Sequence, residues 1–420
     1  MKIQKSLCAA ALCITIMMSV PSFALADNTK CSLDDRNIFP CENFAEWIRE
    51  NVDGASDGKL SEWECLRVRE ISISGEKGIA SIEGIENFYN VFSLDVSESG
   101  VSSLDLSKLK KLAFLNVSNT DVSRIDLSQC HRIYSLDVSH SQITELDLKE
   151  QKELNTLRID GCTIASLDLS KNDALFSLFA RESQLESLSL SSSETLTVLD
   201  LANTRLSSLE LSHFTSLAHL DASSSRLTSL SLEGCTSLEY LDVSNTPLHA
   251  VDTCGCRSLL HLNVSNTYVH EADTSANGSL AYLNVQNTRI EDLCLINNKA
   301  LATLIAGNTD VRELDLRENT ELRSLFLSGS KIEALALPEK TEVSEIFISS
   351  TPLENNARKE KKDTPTNEND SLSKWEKQDE TTEKASILGT KNKLLWKVHK
   401  SESVYEKYFF KKLFKNLLQN

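Results

Sequence analysis

The sequence predicts a β-rich solenoid of 21-residue repeats with a small helical cap at its amino end, and three observations carry that expectation. A framing leucine or isoleucine recurs thirteen times at intervals of 21 residues without insertion, from Leu94, Leu115 and Leu136 through to Leu325 and Ile346. Counted from that residue, positions 1, 3, 8, 11, 13 and 19 are apolar in nearly every copy. Residues 31–72 break the period and space Phe44, Trp47 and Ile48 at i, i+3, i+4, one face of a helix. A 21-residue unit is too short to bury a core alone, so successive coils must stack.

Residues 1–26 read as a signal peptide: Lys2 and Lys5, an apolar run from Leu7 to Val20, then Ala24-Leu25-Ala26 before Asp27. The expectation is therefore an extracytoplasmic chain, secreted or at the cell surface. No later run of about 18 apolar residues suggests a membrane span.

Residues 27–70 form the predicted cap. Within it, residues 53–64 read DGASDGKLSEWE, with the spacing of a 12-residue EF-hand loop. Asp53, Asp57, the Lys59 carbonyl, Ser61 and Glu64 would supply oxygens to a calcium ion, and Gly58 the tight turn. Ala55 stands where another ligand is expected, so any calcium would be weakly held. The bland reading is a turn between cap helices. A Cys31–Cys41 bridge is expected to clamp the cap in an oxidising compartment.

Residues 71–353 are the solenoid. In the copy LNVSNTDVSRIDLSQCHRIYS, Leu115 and Val117 alternate with Asn116 and Ser118, the period of a half-buried strand. Positions 10–14, reading SLDLS or RIDLS, predict a second extended segment on the return path. Position 6 is Ser, Thr or once Cys162, a short side chain to bond backbone groups where the chain leaves the sheet. Cys130, Cys235 and Cys256 share position 16 with Asn172, Asn277, Asn298 and Asn319, which predicts buried turn residues making local hydrogen bonds. Written LxxLxLxx before a small polar residue, the unit resembles a leucine-rich repeat. The DGKLSEWE loop, the segment ISISGEKGIASIEGIENF and repeats ending in SNT together resemble secreted internalin-like bacterial proteins over residues 38–355. That resemblance implies surface recognition and identifies no ligand.

Positions 21, 2 and 4 point away from the core and pave the concave face. Between residues 219 and 284 position 21 reads His219, Tyr240, His261, Tyr282, and position 2 reads Asp221, Asp242, Asn263, Asn284. Aromatic and acidic columns side by side suit a protein with basic groups, or a sugar stacked on the rings. The bland reading is cross-strand packing that stiffens the sheet. Ile305, Phe326 and Phe347 form a second cluster at position 2, which the carboxy-terminal tail could cover; Phe179 stands alone. Asp200, Asp221 and Asp242 repel unless a cation or basic partner intervenes. His219 and His261, two repeats or roughly 10 Å apart, are too distant to share a metal.

Residues 354–385 are polar and charged, a disordered linker by composition. Residues 386–420 form a basic tail whose Phe410, Leu413, Phe414 and Leu417 make one helical face, suited to an anionic membrane or to an acidic solenoid. The tail holds eight Lys and two Glu, or +6, and residues 1–26 carry +2, so residues 27–385 carry −25 of the total −17. Such acidity argues against nucleic acid and against anionic membranes as partners of the solenoid. No HExxH, GxSxG, phosphate-loop or dinucleotide motif occurs, so no catalysis is expected. The expected function is recognition of another macromolecule, foremost a protein, through the concave face. The alternatives are a carbohydrate- or envelope-binding module and a passive spacer held at the cell surface.

Overall fold

A computed structural model describes residues 29–191, 194–339 and 343–354. The signal-peptide, linker and basic-tail expectations lie outside those residues. The chain divides into two units, the first ending at Leu206 and the second beginning at Ser207.

The first unit opens with the cap. Strand Thr29–Ser32 pairs antiparallel with Lys59–Ser61, and helices α1 (Glu42–Asn51) and α2 (Glu62–Arg67) follow their respective strands. Phe44, Ala45 and Ile48 are the buried face of α1, as the spacing predicts, and the Trp47 ring stacks on Phe44 with centroids 6.4 Å apart. Phe39 packs beside them and fixes one glycine: a Cβ on Gly84, whose φ is +100°, would sit 2.3 Å from the Phe39 ring.

The cysteines of the cap pair differently from the expected Cys31–Cys41. The buried thiols of Cys31 and Cys65 are hydrogen-bonded to each other, holding Cys31 below its ordinary pKa. Cys41 instead stands at the N-cap of α1, with its sulfur against backbone N–H groups including that of Phe44. The reason is strand pairing: Cys31 lies opposite Leu60, and α2 begins two residues later and brings Cys65 back over it. In an oxidising setting the expected crosslink is therefore Cys31–Cys65. Peptide mapping without reduction would show it, and a Cys31–Cys41 peptide pair would contradict it.

Seven parallel strands follow in the first unit, Glu70–Ser72, Ser93–Asp95, Phe114–Asn116, Ser135–Asp137, Thr156–Arg158, Ser177–Phe179 and Val198–Asp200. After the first pair, neighbours are offset by 21 residues, so Leu94 faces Leu115 and Leu115 faces Leu136. The second unit repeats the arrangement with His219–Asp221, Tyr240–Asp242, His261–Asn263, Tyr282–Asn284, Thr303–Ile305, Ser324–Phe326 and Glu345–Phe347. This is a parallel β-solenoid with 21-residue coils.

The framing leucines from Leu94 to Leu325 are all buried, as are the position-8 residues from Val101 to Ile332. Each such side chain contributes roughly 2 kcal/mol when taken from water. The last copies, Ile346 and Leu353, are half-buried. The expected second extended segment exists in some coils: Ser166–Leu169 pairs with Ser187–Leu190, Ser208–Glu210 with Ser229–Ser231, and Glu313–Asp315 with Ala334–Ala336.

Two polar ladders run along the stack. At position 6 the hydroxyl donates three residues back: Thr246 to the Val243 carbonyl at 2.7 Å, Thr267 to Val264 at 2.6 Å, Thr288 to Val285 at 2.6 Å. Position 16 differs from the local bonding expected of it. The Asn298 amide donates to the carbonyls of Thr274 at 3.0 Å and Asn277 at 2.9 Å, both in the preceding coil. Asn172, Asn277 and Asn319 do the same, while Cys130 reaches the carbonyls of Leu106 and Leu109 at 3.6 and 3.7 Å. These side chains stitch coil to coil, because the return-path carbonyls of one coil point at the turn of the next.

Candidate functional site

Strand register builds the main candidate surface of the second unit. His219 is opposite Tyr240, Tyr240 opposite His261, and His261 opposite Tyr282. Side chains at one register position of a parallel sheet stand a strand spacing apart, about 4.8 Å, which is also a ring-stacking distance. The rings stack accordingly, with centroids 4.3, 4.4 and 4.2 Å apart and interplanar angles of 12°, 16° and 2°. All four are half-buried. Three stacks take up six of the eight ring faces, both faces of Tyr240 and His261 among them, so the column presents mainly ring edges, two phenol groups and imidazole nitrogens.

Burial, and then the charge of His219, lower the His261 imidazole to about 4. Burial raises Tyr282 to about 12, against the hydrogen bond with Asn284. Both are neutral at pH 7. Because folded His261 binds a proton less well than the unfolded residue (pKa about 6.5), its contribution is intact above 6.5 and lost as pH falls toward 4. That loss is roughly 2 kcal/mol for a half-exposed ring. Acidification has the opposite sign at Asp242, whose carboxyl is raised by burial and by the charge of Asp221. The clean comparison is therefore wild type against His261→Tyr, which keeps a ring and removes the titration. The variant is expected to lose less thermal stability than wild type between pH 7 and pH 4.5; equal losses would contradict the assignment.

Asp221, Asp242, Asn263 and Asn284 form the adjoining column. Their side-chain oxygens accept from the backbone N–H two residues on: Ser223 at 3.0 Å, Ser244 at 2.9 Å, Ser265 at 3.1 Å and Gln286 at 3.0 Å. The same bond joins Asp95 to Ser97 and Asp137 to Ser139 in the first unit. Position 2 is thus first a turn-making position, where Asp and Asn are favoured because their side chains mimic a backbone acceptor. Asn263 also donates to Asp242 at 2.8 Å, which eases the repulsion between Asp242 and Asp221. Sequence reasoning saw the charge of this column and missed the turn.

Where Ile305, Phe326 and Phe347 take position 2, that acceptor is absent and apolar side chains replace it. Phe326 and Phe347 stack with centroids 4.9 Å apart and 5° between planes, and Phe347 is 41% exposed. The tail expected to cover them lies outside the described residues.

In the first unit a basic group interrupts the acidic paving. The Arg158 guanidinium lies over the Phe179 ring at 4.3 Å and 3.4 Å from Asp160, and Arg181 pairs with Asp200 at 2.9 Å. Phe179, solitary when aromatic residues alone are compared, is one half of a cation–π pair. Asp200 has the basic partner its column demands.

The carboxylates of the cap loop accept hydrogen bonds from the loop's own N–H and hydroxyl groups. Glu64 Oε1 accepts from the N–H of Gly54 at 2.9 Å and of Ala55 at 3.3 Å, and Oε2 from the Ser61 N–H at 2.9 Å and hydroxyl at 2.8 Å. Burial raises its carboxyl, but these bonds prevail and hold it below the ordinary carboxylate value. Ser61 reciprocates as N-cap of α2, a capping box. Asp57 accepts from the Lys59 N–H and Asp53 Oδ2 from the Gly58 N–H, each at 2.9 Å, while buried Asp53 Oδ1 has no hydrogen-bond partner. Among the described residues no group of three or more His, Cys, Asp or Glu gathers as a metal site.

No family model matches the chain, and no curated protein matches it. Solved structures do. The functional domain of InlJ from Listeria monocytogenes, which includes a cysteine ladder, superposes with a TM-score of 0.61 at 22% identity, over 72% of this chain and 71% of that one. An internalin, InlF, from the same organism gives 0.58 at 20% identity, over 71% and 96%. A plant peptide hormone receptor, RGFR1, solved in complex with RGF2, gives 0.55 at 15% identity, over 64% and 50%. By fold, the chain is a leucine-rich-repeat solenoid of internalin-like form.

Proposed function

We propose that this chain is a secreted or cell-surface binding protein that recognises a protein partner through the outward face of strands 219–284, without catalysis. The observation that carries this reading is the stacked column His219–Tyr240–His261–Tyr282 beside Asp221 and Asp242, fixed on a rigid parallel sheet. Pre-ordered aromatic side chains lose little entropy on binding, and rings flanked by carboxylates favour a partner with basic groups at its contact. A sugar stacked on this column is the weaker reading, since stacking needs a free ring face and both faces of Tyr240 and His261 are occupied. The similar fold of a receptor solved with a peptide hormone supports protein recognition as a use of such a solenoid.

The extracytoplasmic setting rests on residues 1–26 as a signal peptide. No helix among the described residues is long and apolar enough to cross a membrane. The cap covers the first coil; a calcium ion there would compete with the four donors already on Glu64. The test is capture of surface proteins from host and bacterial cells by the purified chain, before and after enzymatic glycan removal. Capture that survives glycan removal and is abolished by proteolysis of the target is the expected result. The reverse pattern would overturn the protein reading in favour of the carbohydrate one.

A further inference from the structure

One corner of the second unit holds a groove that the concave-face reading does not use. Asn245, Asn266, Asn287 and Asn308 occur at the same turn of four successive coils, all exposed and all in the left-handed conformation, φ 54–58°. They line a groove of about 620 Å³ together with Tyr268 and Arg289. Asn308 donates to the Asn287 side-chain oxygen at 2.8 Å, and Asn287 to that of Asn266 at 2.6 Å. An amide carries two N–H donors and an oxygen with two lone pairs, so each such bond leaves one N–H per donor outside the ladder. Tyr268 is 49% exposed; His249 approaches it at 5.2 Å, tilted 34°, and the Arg289 guanidinium at 5.6 Å, looser than any contact in the stacked column.

We infer that this groove binds an oligosaccharide bearing carboxylates, with a sugar ring against Tyr268, hydroxyls on the asparagine amides and a carboxylate on Arg289. Three features select that chemistry. The backbone donors are already spent: the N–H groups of Asn245, Asn266, Asn287 and Asn308 donate to the next coil at 2.9–3.0 Å, and those of Tyr268 and Arg289 to the previous one. An extended peptide therefore finds no free backbone N–H to pair with on these six residues. Apart from Tyr268, Pro247 is the one apolar residue of the lining, too little for the apolar centre a folded protein partner needs. Its one formal charge is the positive Arg289, on a chain of net charge −17. Rows of side-chain amides beside a half-exposed aromatic ring match a ligand that offers many hydroxyls and a C–H face.

The test uses the purified chain, with hexagalacturonate and neutral cellohexaose as probes in titration calorimetry. Hexagalacturonate is expected to bind and cellohexaose to bind more weakly. Tyr268→Ala and Arg289→Ala should each weaken hexagalacturonate about tenfold. Asn287→Asp, which keeps a residue tolerant of the left-handed turn, should weaken it comparably by placing a carboxylate in the groove. Tyr268 and Arg289 are exposed, so unchanged melting curves are the control for folding. A Tyr240→Ser/Tyr282→Ser variant should bind hexagalacturonate as wild type does, which separates this site from the proposed protein site. Absence of hexagalacturonate binding, equal binding by the Tyr268 and Arg289 variants, or equally tight binding of poly-glutamate would overturn the inference; the last would assign the groove to peptides.

Discussion

Asn298→Ala is expected to destabilise the solenoid by about 4 kcal/mol, an unusually large effect for one polar side chain. Asn298 is fully buried. Its amide donates to the carbonyls of Thr274 and Asn277, and its oxygen accepts from the Thr274 hydroxyl at 2.9 Å. Alanine removes three hydrogen bonds at about 1 kcal/mol each, leaves the Thr274 and Asn277 carbonyls only the backbone N–H groups of Asn277 and Leu280, and leaves the buried Thr274 hydroxyl without its acceptor. A cysteine should serve better, because Cys130, Cys235 and Cys256 occupy this position elsewhere and Cys235 reaches the Leu211 carbonyl at 3.3 Å. Urea unfolding followed by circular dichroism should rank the proteins wild type, Asn298→Cys, Asn298→Ala. A loss below about 1 kcal/mol for the alanine variant would mean the ladder is not what joins the coils.

Tyr240→Ser with Tyr282→Ser is expected to weaken partner binding by roughly a hundredfold or more, since central aromatic residues of an interface are worth about 2 kcal/mol or above each. The two serines remove both phenol groups and leave His219 and His261 without the rings between and beside them. Serine already occupies the same register position at Ser93, Ser135 and Ser324, so the sheet accepts it. Stability should fall only by the lost stacking, about 0.5–1.5 kcal/mol per ring pair. Surface plasmon resonance on the captured partner, with melting curves beside it, separates the two effects. Binding retained within about threefold would move the interface elsewhere.

The features legible in the sequence are those that a fixed 21-residue register turns directly into neighbours. Leu94 to Leu325 could be placed in the core, and His219, Tyr240, His261 and Tyr282 in one column, because like positions meet like positions. Thr246 and its counterparts were readable for the same reason: the hydroxyl bonds within its own coil. Interactions that change position number between coils were not. Asn298 reaches Thr274, 24 residues back and thus at another position of the repeat, a pairing set by how one turn nests on another. Arg158 over Phe179 does join like positions, and it escapes notice for another reason: it couples a cation to a ring that looked solitary among aromatic residues alone. The Asp and Asn residues of position 2 double as turn acceptors, a use that their charge conceals. Cys31 meets Cys65 because a strand pair and a helix fold back on each other, which spacing alone does not reveal.

The most direct measurement of the central claim is site-specific photocrosslinking to the captured partner. A photoreactive phenylalanine analogue replaces Tyr240, on the outward face of its strand, or Glu291, exposed on the return path. Crosslinks from position 240 and none from position 291 are the expected result. Crosslinks from 291 alone would place the partner on the opposite side of the coil and contradict recognition through the aromatic column.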